Sequence, residues 1–171
     1  LSIIPDKNYF LAAENGYPAL DYDAFFEAMQ KSLPWASYID LTKSLTISDY
    51  YKTDIHWRQE SLLPAAKTLA SAMGVEISDD HTEKTLDRDY YGLYYGYAAL
   101  PIKPEKILYL TNETIEAAVV TNFETGKTGP VYDMEKAAGK DPYEMFLSGS
   151  VSLLTIENPN AKTEKELVIF R

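Results

Sequence analysis

The spacing of apolar and polar residues at the start of the chain predicts a strand, a helix and a second strand. Leu1–Ile4 is a short apolar run typical of a buried parallel strand. Residues 7–20 contain several turn-forming residues and are predicted to be mainly loop. Asp21 is a predicted N-cap for a helix over residues 22–31, and Ser37–Leu41 is the second strand. This order predicts a β-α-β unit, whose strands lie parallel.

The next amphipathic pattern predicts another helix. Apolar residues recur at helical spacing within Leu62–Met73, and Gly74 is a natural C-terminal stop. Pro64 restricts the start, because proline is tolerated only in the first helical turn. Either Ser61 caps the helix, or the helix begins near Arg58 and is kinked at the proline.

Residues 76–134 have a different pattern, which is rich in strand-forming residues. Lys106–Leu110 and Thr114–Thr121 are predicted strands joined by a tight turn at Asn112-Glu113. Val131–Met134 is a third predicted strand. Together they predict a small antiparallel ribbon inserted into an α/β body.

The last part of the chain begins with Asp141–Glu144, which has the cap, proline and acid of a helix start. Val151–Ile156 fits either a strand or a helical turn. Leu167–Phe170 predicts a last buried strand. Since both ends of the sequence read as strands, we expect residues 1–171 to be a single partial domain, with any leader or membrane anchor lost from the N-terminal side.

Composition narrows the possible partners. The 171 residues are 46% hydrophobic and 25% charged, as in a soluble globular protein, and the net charge is −10. This charge argues against nucleic acid and anionic membrane surfaces as partners. The chain has no cysteine, which rules out disulfides, thiolate metal sites and a cysteine nucleophile. It has no glycine-rich phosphate loop, and its two histidines lie 25 positions apart, so we expect neither a cofactor nor a metal.

The candidate chemistry lies in residues 50–57, beyond the carboxyl end of the second predicted strand, where parallel sheets place their sites. In an extended backbone Asp54 and His56 would project into the same space, and Ile55 would point into the protein. A carboxylate beside an imidazole orients the ring and stabilises its protonated form, as in an acyl-transfer triad. The alternative is that His56 caps or fills a core.

Aromatic residues supply candidates for substrate contact. Tyr51 and Trp57 flank the pair, and Tyr94 and Tyr95 belong to a run of five tyrosines within residues 90–97. A tyrosine ring has a flat face and a polar tip, which suit stacking on a sugar. The alternative is a packed irregular loop whose hydroxyls bond to the backbone.

Two other candidates have simpler explanations. His81 lies among acids, so it is predicted to be an exposed surface residue rather than a metal ligand. Ser148 and Ser150 come nearest to a nucleophile elbow, but their position favours the end of a helix.

Asp54-Ile55-His56-Trp57 resembles the D-H-H-W signature of the DHHW protein family, with isoleucine in place of the first histidine. The resemblance covers essentially the whole chain in the family's order. Its other blocks are Ile4–Tyr9, Tyr38–Leu41, the Tyr-Tyr-Gly segment, Val120–Gly126 and Lys140–Gly149.

This family is similar in fold to SGNH hydrolases and to bacterial polysaccharide O-acetyltransferases such as those of alginate modification. The resemblance implies an α/β fold, a three-layer parallel-sheet sandwich truncated at both ends. It implies Asp54 as the orienting acid and His56 as the general base. The family's serine follows the final strand, which places the nucleophile beyond residue 171.

Two functions are therefore expected. The first is a fragment of a serine O-acyl esterase or O-acetyltransferase that acts on an acetylated sugar of a cell-surface or secreted glycan. Such a protein would be bacterial, extracellular or in the cell envelope, membrane-tethered at full length, and inactive as this fragment. The second is a non-catalytic glycan- or partner-binding module that uses the tyrosines of residues 90–97.

Overall fold

The computed structural model describes residues 1–99 and 101–170, so that Leu100 and Arg171 lie outside the described residues. Two short strands open the chain and pair in parallel. Strand β1 (Ser2–Ile3) pairs with β2 (Ile39–Asp40), with Ser2 opposite Ile39. The predicted parallel pairing is confirmed.

The described chain divides into two compact units. The first comprises Leu1–Ser78 and Tyr91–Glu105, and the second comprises Asp79–Tyr90 and Lys106–Arg171. These bounds differ from the predicted insertion over residues 76–134, because the second unit continues past it and leaves out Tyr91–Glu105.

The first helix occupies a segment for which we predicted a loop. Helix α1 (Lys7–Asn15) begins after Asp6, whose carboxylate accepts a hydrogen bond from Tyr9 N at 3.0 Å. Gly16 follows with a φ of 67°, the left-handed conformation that ends a helix. The prediction for residues 7–20 is wrong because the cap and the glycine enclose a helix.

Helix α2 (Tyr22–Ser32) matches its prediction closely. Asp21 caps it by accepting a hydrogen bond from Ala24 N at 3.0 Å. Two helices therefore lie between the parallel strands, where we predicted one.

Helix α3 (Leu63–Ala72) follows a 3₁₀ turn at Gln59–Ser61, and Pro64 lies in its first turn. Gly74 ends it with a φ of 65°. Neither predicted start is correct, since Leu62 is the residue before the helix. Helix α4 (Leu93–Ala98) also belongs to the first unit.

The core of the first unit lies between β2, α3 and the loops that follow β2. Leu41, Leu45 and Ala65 are almost inaccessible to solvent. Four partly buried apolar side chains pack against them: Phe10, Trp57, Leu62 and Leu69. Burial of this apolar surface supports the loop that contains Trp57.

The second unit contains two antiparallel sheets. Strand β3 (Thr82–Thr85) pairs with β4 (Leu108–Thr111). The other sheet has the order β6-β5-β7, with strands β5 (Val119–Asn122), β6 (Lys127–Gly129) and β7 (Leu154–Glu157).

The remaining helices of the second unit are short. Helix α5 (Glu113–Ala117) is capped by the preceding residue, Asn112, whose side chain accepts a hydrogen bond from Ile115 N at 2.9 Å. Helix α6 is Met134–Ala137, and a 3₁₀ turn follows at Pro142–Met145.

The predicted ribbon has the wrong pairing. Lys106–Leu110 and Thr114–Thr121 do not form a hairpin, because helix α5, capped by Asn112, takes up the first residues of the second segment and β4 pairs with β3 instead. Val131–Met134 is not a strand in the structure. It forms a single bridge from Tyr132 to Phe146 and then enters α6.

The last apolar segments gave one correct and one wrong prediction. Of the two alternatives for Val151–Ile156, the strand is found as β7. Leu167–Phe170 is not a buried strand: of the described residues after Glu157, none is in a strand, and Phe170 is 95% exposed. A strand needs a neighbour that satisfies its backbone groups, and none of the described strands pairs with this segment.

The fold is therefore α/β, with small sheets and short helices. The predicted α/β class is confirmed. Among the described strands only β1 and β2 pair in parallel, so a three-layer parallel sandwich is not seen. None of the helices in the described part of the chain has the length and apolar character needed to cross a membrane.

Candidate active site

The loop around Asp54 is closed by backbone hydrogen bonds in the first unit. Tyr50 and Trp57 form an isolated antiparallel bridge, and Tyr51 N donates to the His56 carbonyl at 3.1 Å. Between these residues the backbone is a series of bends rather than an extended strand. The loop is therefore a compact turn fixed at its base.

Asp54 and His56 are in direct contact. Oδ1 of Asp54 bonds to Nδ1 of His56 and also accepts the His56 backbone N–H at 3.0 Å. Oδ2 accepts the Leu93 N–H at 2.7 Å. The Asp54 side chain is 6% exposed and that of His56 is 45% exposed. A buried carboxylate thus holds one nitrogen of a half-exposed ring.

The predicted contact is present, but the reason for it differs from the prediction. In the bent backbone Ile55 is 48% exposed and does not point into the protein. The Asp54 carboxylate bonds to both the backbone and the ring two residues later, so the turn itself brings the pair together.

Gly92 lets a second segment approach this loop closely. A Cβ atom placed on Gly92 would lie 2.4 Å from the Thr53 carbonyl oxygen and 2.5 Å from Cβ of Asp54. Gly92 N donates to Thr53 Oγ1 at 3.1 Å, and Tyr94 N donates to the Thr53 carbonyl at 2.8 Å. The absent side chain allows Leu93 N to reach the Asp54 carboxylate.

The Lys7 side chain donates hydrogen bonds to backbone carbonyls of the same loop. Its Nζ donates to the carbonyls of Tyr51, Lys52 and Asp54 at 2.8, 3.3 and 3.1 Å. Burial holds the pKa of Lys7 below its ordinary value, and the charges of Glu105 and Asp54 offset part of this effect.

The Glu105 carboxylate accepts hydrogen bonds from donors of the loop. Oε2 accepts the Thr53 N–H and hydroxyl, both at 2.8 Å, and Oε1 pairs with Nη2 of Arg58 at 2.6 Å. Burial acts to raise the pKa of Glu105, but the hydrogen bonds from Thr53 and Lys52 and the Arg58 charge together lower it below its ordinary value.

Two of the predicted substrate contacts, Tyr51 and Trp57, pack within the first unit. Tyr51 is 0% exposed, and the Arg58 guanidinium lies 5.0 Å from its ring centre. The prediction for Tyr51 is therefore corrected, since a fully buried ring cannot contact a ligand. Trp57 packs partly buried against the core around Leu41.

The other two predicted contacts lie on α4. Tyr94 is 39% exposed, and Nζ of Lys7 lies 4.9 Å from its ring centre. Tyr95 is half-buried and packs on Tyr91, with 4.6 Å between the ring centres. The structure therefore brings Tyr94 next to a residue of the site loop.

Three residues that support the site were missed from the sequence: Lys7, Glu105 and Gly92. Each reaches the loop across a separation of 39 to 52 residues, which no local pattern encodes. For Lys7 and Gly92 a signal was available, because each belongs to one of the blocks that carry the family resemblance.

In the second unit, His81 is half-buried, in contrast to its prediction as an exposed residue. Its buried Nδ1 has no hydrogen-bond partner among the described residues. No group of three or more His, Cys, Asp or Glu residues within 1–99 and 101–170 is placed to hold a metal ion.

Ser148 lies in an unusual backbone conformation, with φ values of 56° at Leu147 and 60° at Ser148. Its Oγ donates to Oδ2 of Asp133 at 2.8 Å, beside a cavity of about 580 Å³. Hydrogen bonds from the Lys136 N–H and the Ser148 hydroxyl hold the pKa of Asp133 below its ordinary value.

Solved structures show the same fold at low sequence identity. A DHHW family protein from Eubacterium siraeum is 19% identical over 94% of this chain, with a TM-score of 0.70. PatB1 of Bacillus cereus, solved with a sulfonyl adduct, is 21% identical over 94% of the chain, with a TM-score of 0.67. A second PatB1 structure is 20% identical over 95%, with a TM-score of 0.64.

The chain spans 58% of the length of the DHHW family protein and 60% and 63% of the two PatB1 chains. No protein-family model matches the sequence, and no curated protein sequence matches it. The comparisons therefore establish the fold.

Proposed function

We propose that Asp54 and His56 are the orienting acid and the general base of a serine O-acyl esterase or O-acetyltransferase of SGNH type. The observation that carries this proposal is the contact of a buried Asp54 carboxylate with Nδ1 of a half-exposed His56. An imidazole held in this way keeps its Nδ1 proton on the carboxylate side and uses Nε2 as the base.

The proposed reaction has two halves. A serine hydroxyl attacks the acyl carbon, and His56 takes the hydroxyl proton through Nε2. The tetrahedral intermediate then expels the alcohol oxygen, which receives that proton, and leaves an acyl-enzyme. Water or a sugar hydroxyl attacks the acyl carbon in the second half, which regenerates the serine and releases an acid or an acylated sugar.

The proposal places the serine beyond residue 171 and the chain in a larger parallel-sheet sandwich. One finding supports this placement, and a second supports the chemistry of a nucleophile. The solved structures of this fold are longer than the chain. One of them carries a sulfonyl adduct, which is the product that a sulfonyl reagent leaves on a nucleophilic side chain. We propose a cell-surface or secreted glycan as the substrate and the bacterial cell envelope as the location.

Hydrolysis and transfer of acetyl groups by the whole protein test the proposal. His56→Ala should lower kcat/KM by about 10²- to 10⁴-fold, because a general base contributes that much. His81→Ala is the matched control and should keep wild-type activity. A sulfonyl reagent should label the whole protein and not the 171-residue chain. Wild-type turnover by His56→Ala would falsify the assignment.

A non-catalytic glycan-binding module is the second candidate function. The observation that favours it is the exposure of aromatic rings near α4, with Tyr91 49% and Tyr97 81% exposed. Exposed rings of this kind suit stacking on sugars. Sugar binding that survives His56→Ala and is lost in Tyr97→Ala, in a protein without turnover, would support the module.

A further inference from the structure

We propose that Lys7 and Glu105 are positioning residues, which clamp the loop over residues 51–56 and so set the orientation of the His56 ring. This inference rests on the proposed function, because it concerns the base of that reaction. It is carried by the hydrogen bonds that the two side chains make to the loop backbone.

Lys7 directs its side-chain donors at the loop. A lysine ammonium has three N–H donors, and those of Lys7 reach three carbonyls, including the carbonyl of Asp54 at 3.1 Å. The residue stands at the first position of α1, immediately after the Asp6 cap. The helix end therefore fixes the backbone position from which the Lys7 side chain reaches the loop.

Glu105 acts on the residue that precedes Asp54. It accepts both the N–H and the hydroxyl of Thr53, which is 1% exposed. The Arg58 guanidinium at 2.6 Å orients the same carboxylate. With Thr53 and the Asp54 carbonyl both fixed, the backbone on each side of the Asp54 side chain has little freedom.

The Lys7 ammonium and the Glu105 carboxylate matter more for the conformation of the loop than for the stability of the protein. Burying an ion costs free energy that its partners only partly restore. Hydrophobic residues of similar size therefore often stabilise a protein as much as a buried ion pair does. A cation bonded to carbonyls and an anion bonded to N–H groups nevertheless define one conformation of the loop. That conformation is the one in which Asp54 Oδ1 meets His56 Nδ1.

The ring tautomer provides a readout that a merely structural role would not move. Neutral imidazole carries its proton on either Nδ1 or Nε2, and a carboxylate at Nδ1 selects the Nδ1–H form. The ¹⁵N chemical shifts of the two ring nitrogens, measured on the neutral imidazole, distinguish the two tautomers. The His56→Ala spectrum assigns the signals of His56.

The tests are Lys7→Met, which removes the ammonium donors, and Thr53→Val, which removes the hydroxyl donor to Glu105 and keeps the backbone N–H donor. We expect both to shift neutral His56 from the Nδ1–H form toward a mixture and to lower kcat about 10- to 100-fold with little change in KM, since a displaced base costs that much. Thr53→Ser keeps the hydroxyl and should restore both readouts. Lys43→Met, at a lysine whose side chain is 87% exposed, should behave as wild type.

Folded Lys7→Met and Thr53→Val with the wild-type tautomer would overturn the clamp, whatever their turnover. If Lys7→Met does not fold, the result for Thr53→Val decides, with Thr53→Ser as its rescue. The proposed function fails separately: a wild-type protein without turnover, whose tautomer still responds to Lys7→Met, would support the clamp and overturn the esterase.

Discussion

The site loop of the first unit and the Ser148 segment of the second are both irregular, yet different interactions hold them. Partly buried ions, Lys7 and Glu105, fix the first by bonding to its backbone. The second depends on partly exposed groups, such as the bond from Ser148 to Asp133 and the ion pair of Lys136 with Glu144, whose side chains are 47% and 45% exposed. Water screens the second set, so we expect it to tolerate substitution better.

The protein allows the two units to be followed separately. Both tryptophans, Trp35 and Trp57, lie in the first unit, and Trp57 packs against its core. Tryptophan fluorescence therefore reports unfolding of the first unit. Amide hydrogen exchange of β5 reports the second unit.

The strongest test of the comparison is Gly92→Ala. The new Cβ would lie 2.4 Å from the Thr53 carbonyl oxygen, and backbone cannot move aside as a flexible side chain can. We expect a loss of about 3 kcal/mol of unfolding free energy, which is typical of severe overpacking. Urea denaturation followed by tryptophan fluorescence measures it.

Gly96→Ala is the matched control for this substitution. Nothing lies within 4 Å of a Cβ at Gly96, which is inside α4. Alanine should stabilise the helix there by up to about 1 kcal/mol. Equal effects at both glycines would contradict the close packing of residue 92 on the loop.

Glu105→Gln should have the next largest effect. It leaves Arg58 without its 2.6 Å carboxylate partner and weakens the bonds from Thr53, which costs about 2 kcal/mol for charged hydrogen bonds. Denaturant unfolding at neutral pH, again followed by tryptophan fluorescence, measures this loss.

The same variant has a predicted pH dependence. A carboxyl whose pKa is lowered on folding stabilises the protein above its ordinary pKa, and this contribution is lost as the pH falls through the folded-state value. For Glu105 the loss occurs below its ordinary value of 4.5. Wild type should therefore lose more stability than Glu105→Gln on acidification from pH 6, and identical slopes would count against the assignment.

The contrast between the units also explains which features could be predicted from sequence. Asp21 and Gly74 were recognised because a cap acts on residues three or four positions away. The Asp54–His56 contact was found for the same reason, since it spans two residues. Local chemistry is visible in a local pattern.

Features that depend on distant residues were missed or assigned wrongly. The Lys106–Leu110 segment was predicted as half of a hairpin, yet β4 pairs with residues of β3 that lie 23 to 29 positions earlier. An apolar pattern predicts a strand but does not specify which strand it pairs with. Lys7 and Glu105 are separated from the loop by more than forty residues. Ile55 was placed inside because an extended backbone was assumed where the chain bends.

In the second unit Asp133→Ala should have a moderate effect. Asp133 caps α6 by accepting the N–H groups of Glu135 and Lys136 at 3.1 and 3.0 Å, and it also accepts the Ser148 hydroxyl. Loss of a cap costs about 1 kcal/mol. Hydrogen exchange should show faster opening of the second unit.

Asp133→Asn keeps an acceptor at the cap and should retain most of that stability. The tryptophan transition of the first unit should not move in either variant. A loss at Asp133→Ala as large as that at Glu105→Gln would break the distinction between the two units.

The smallest expected effect is at the exposed pair of Lys136 and Glu144, whose charged atoms are 3.0 Å apart. A double-mutant cycle with Lys136→Ala and Glu144→Ala should give a coupling of about 0.3 kcal/mol that shrinks further in salt, because solvent screens exposed charges. The same cycle on Arg58 and Glu105, with side chains 24% and 9% exposed, should give a larger coupling that salt hardly changes. Equal couplings for the two pairs would mean that burial does not set the strength of the contacts that hold the site loop.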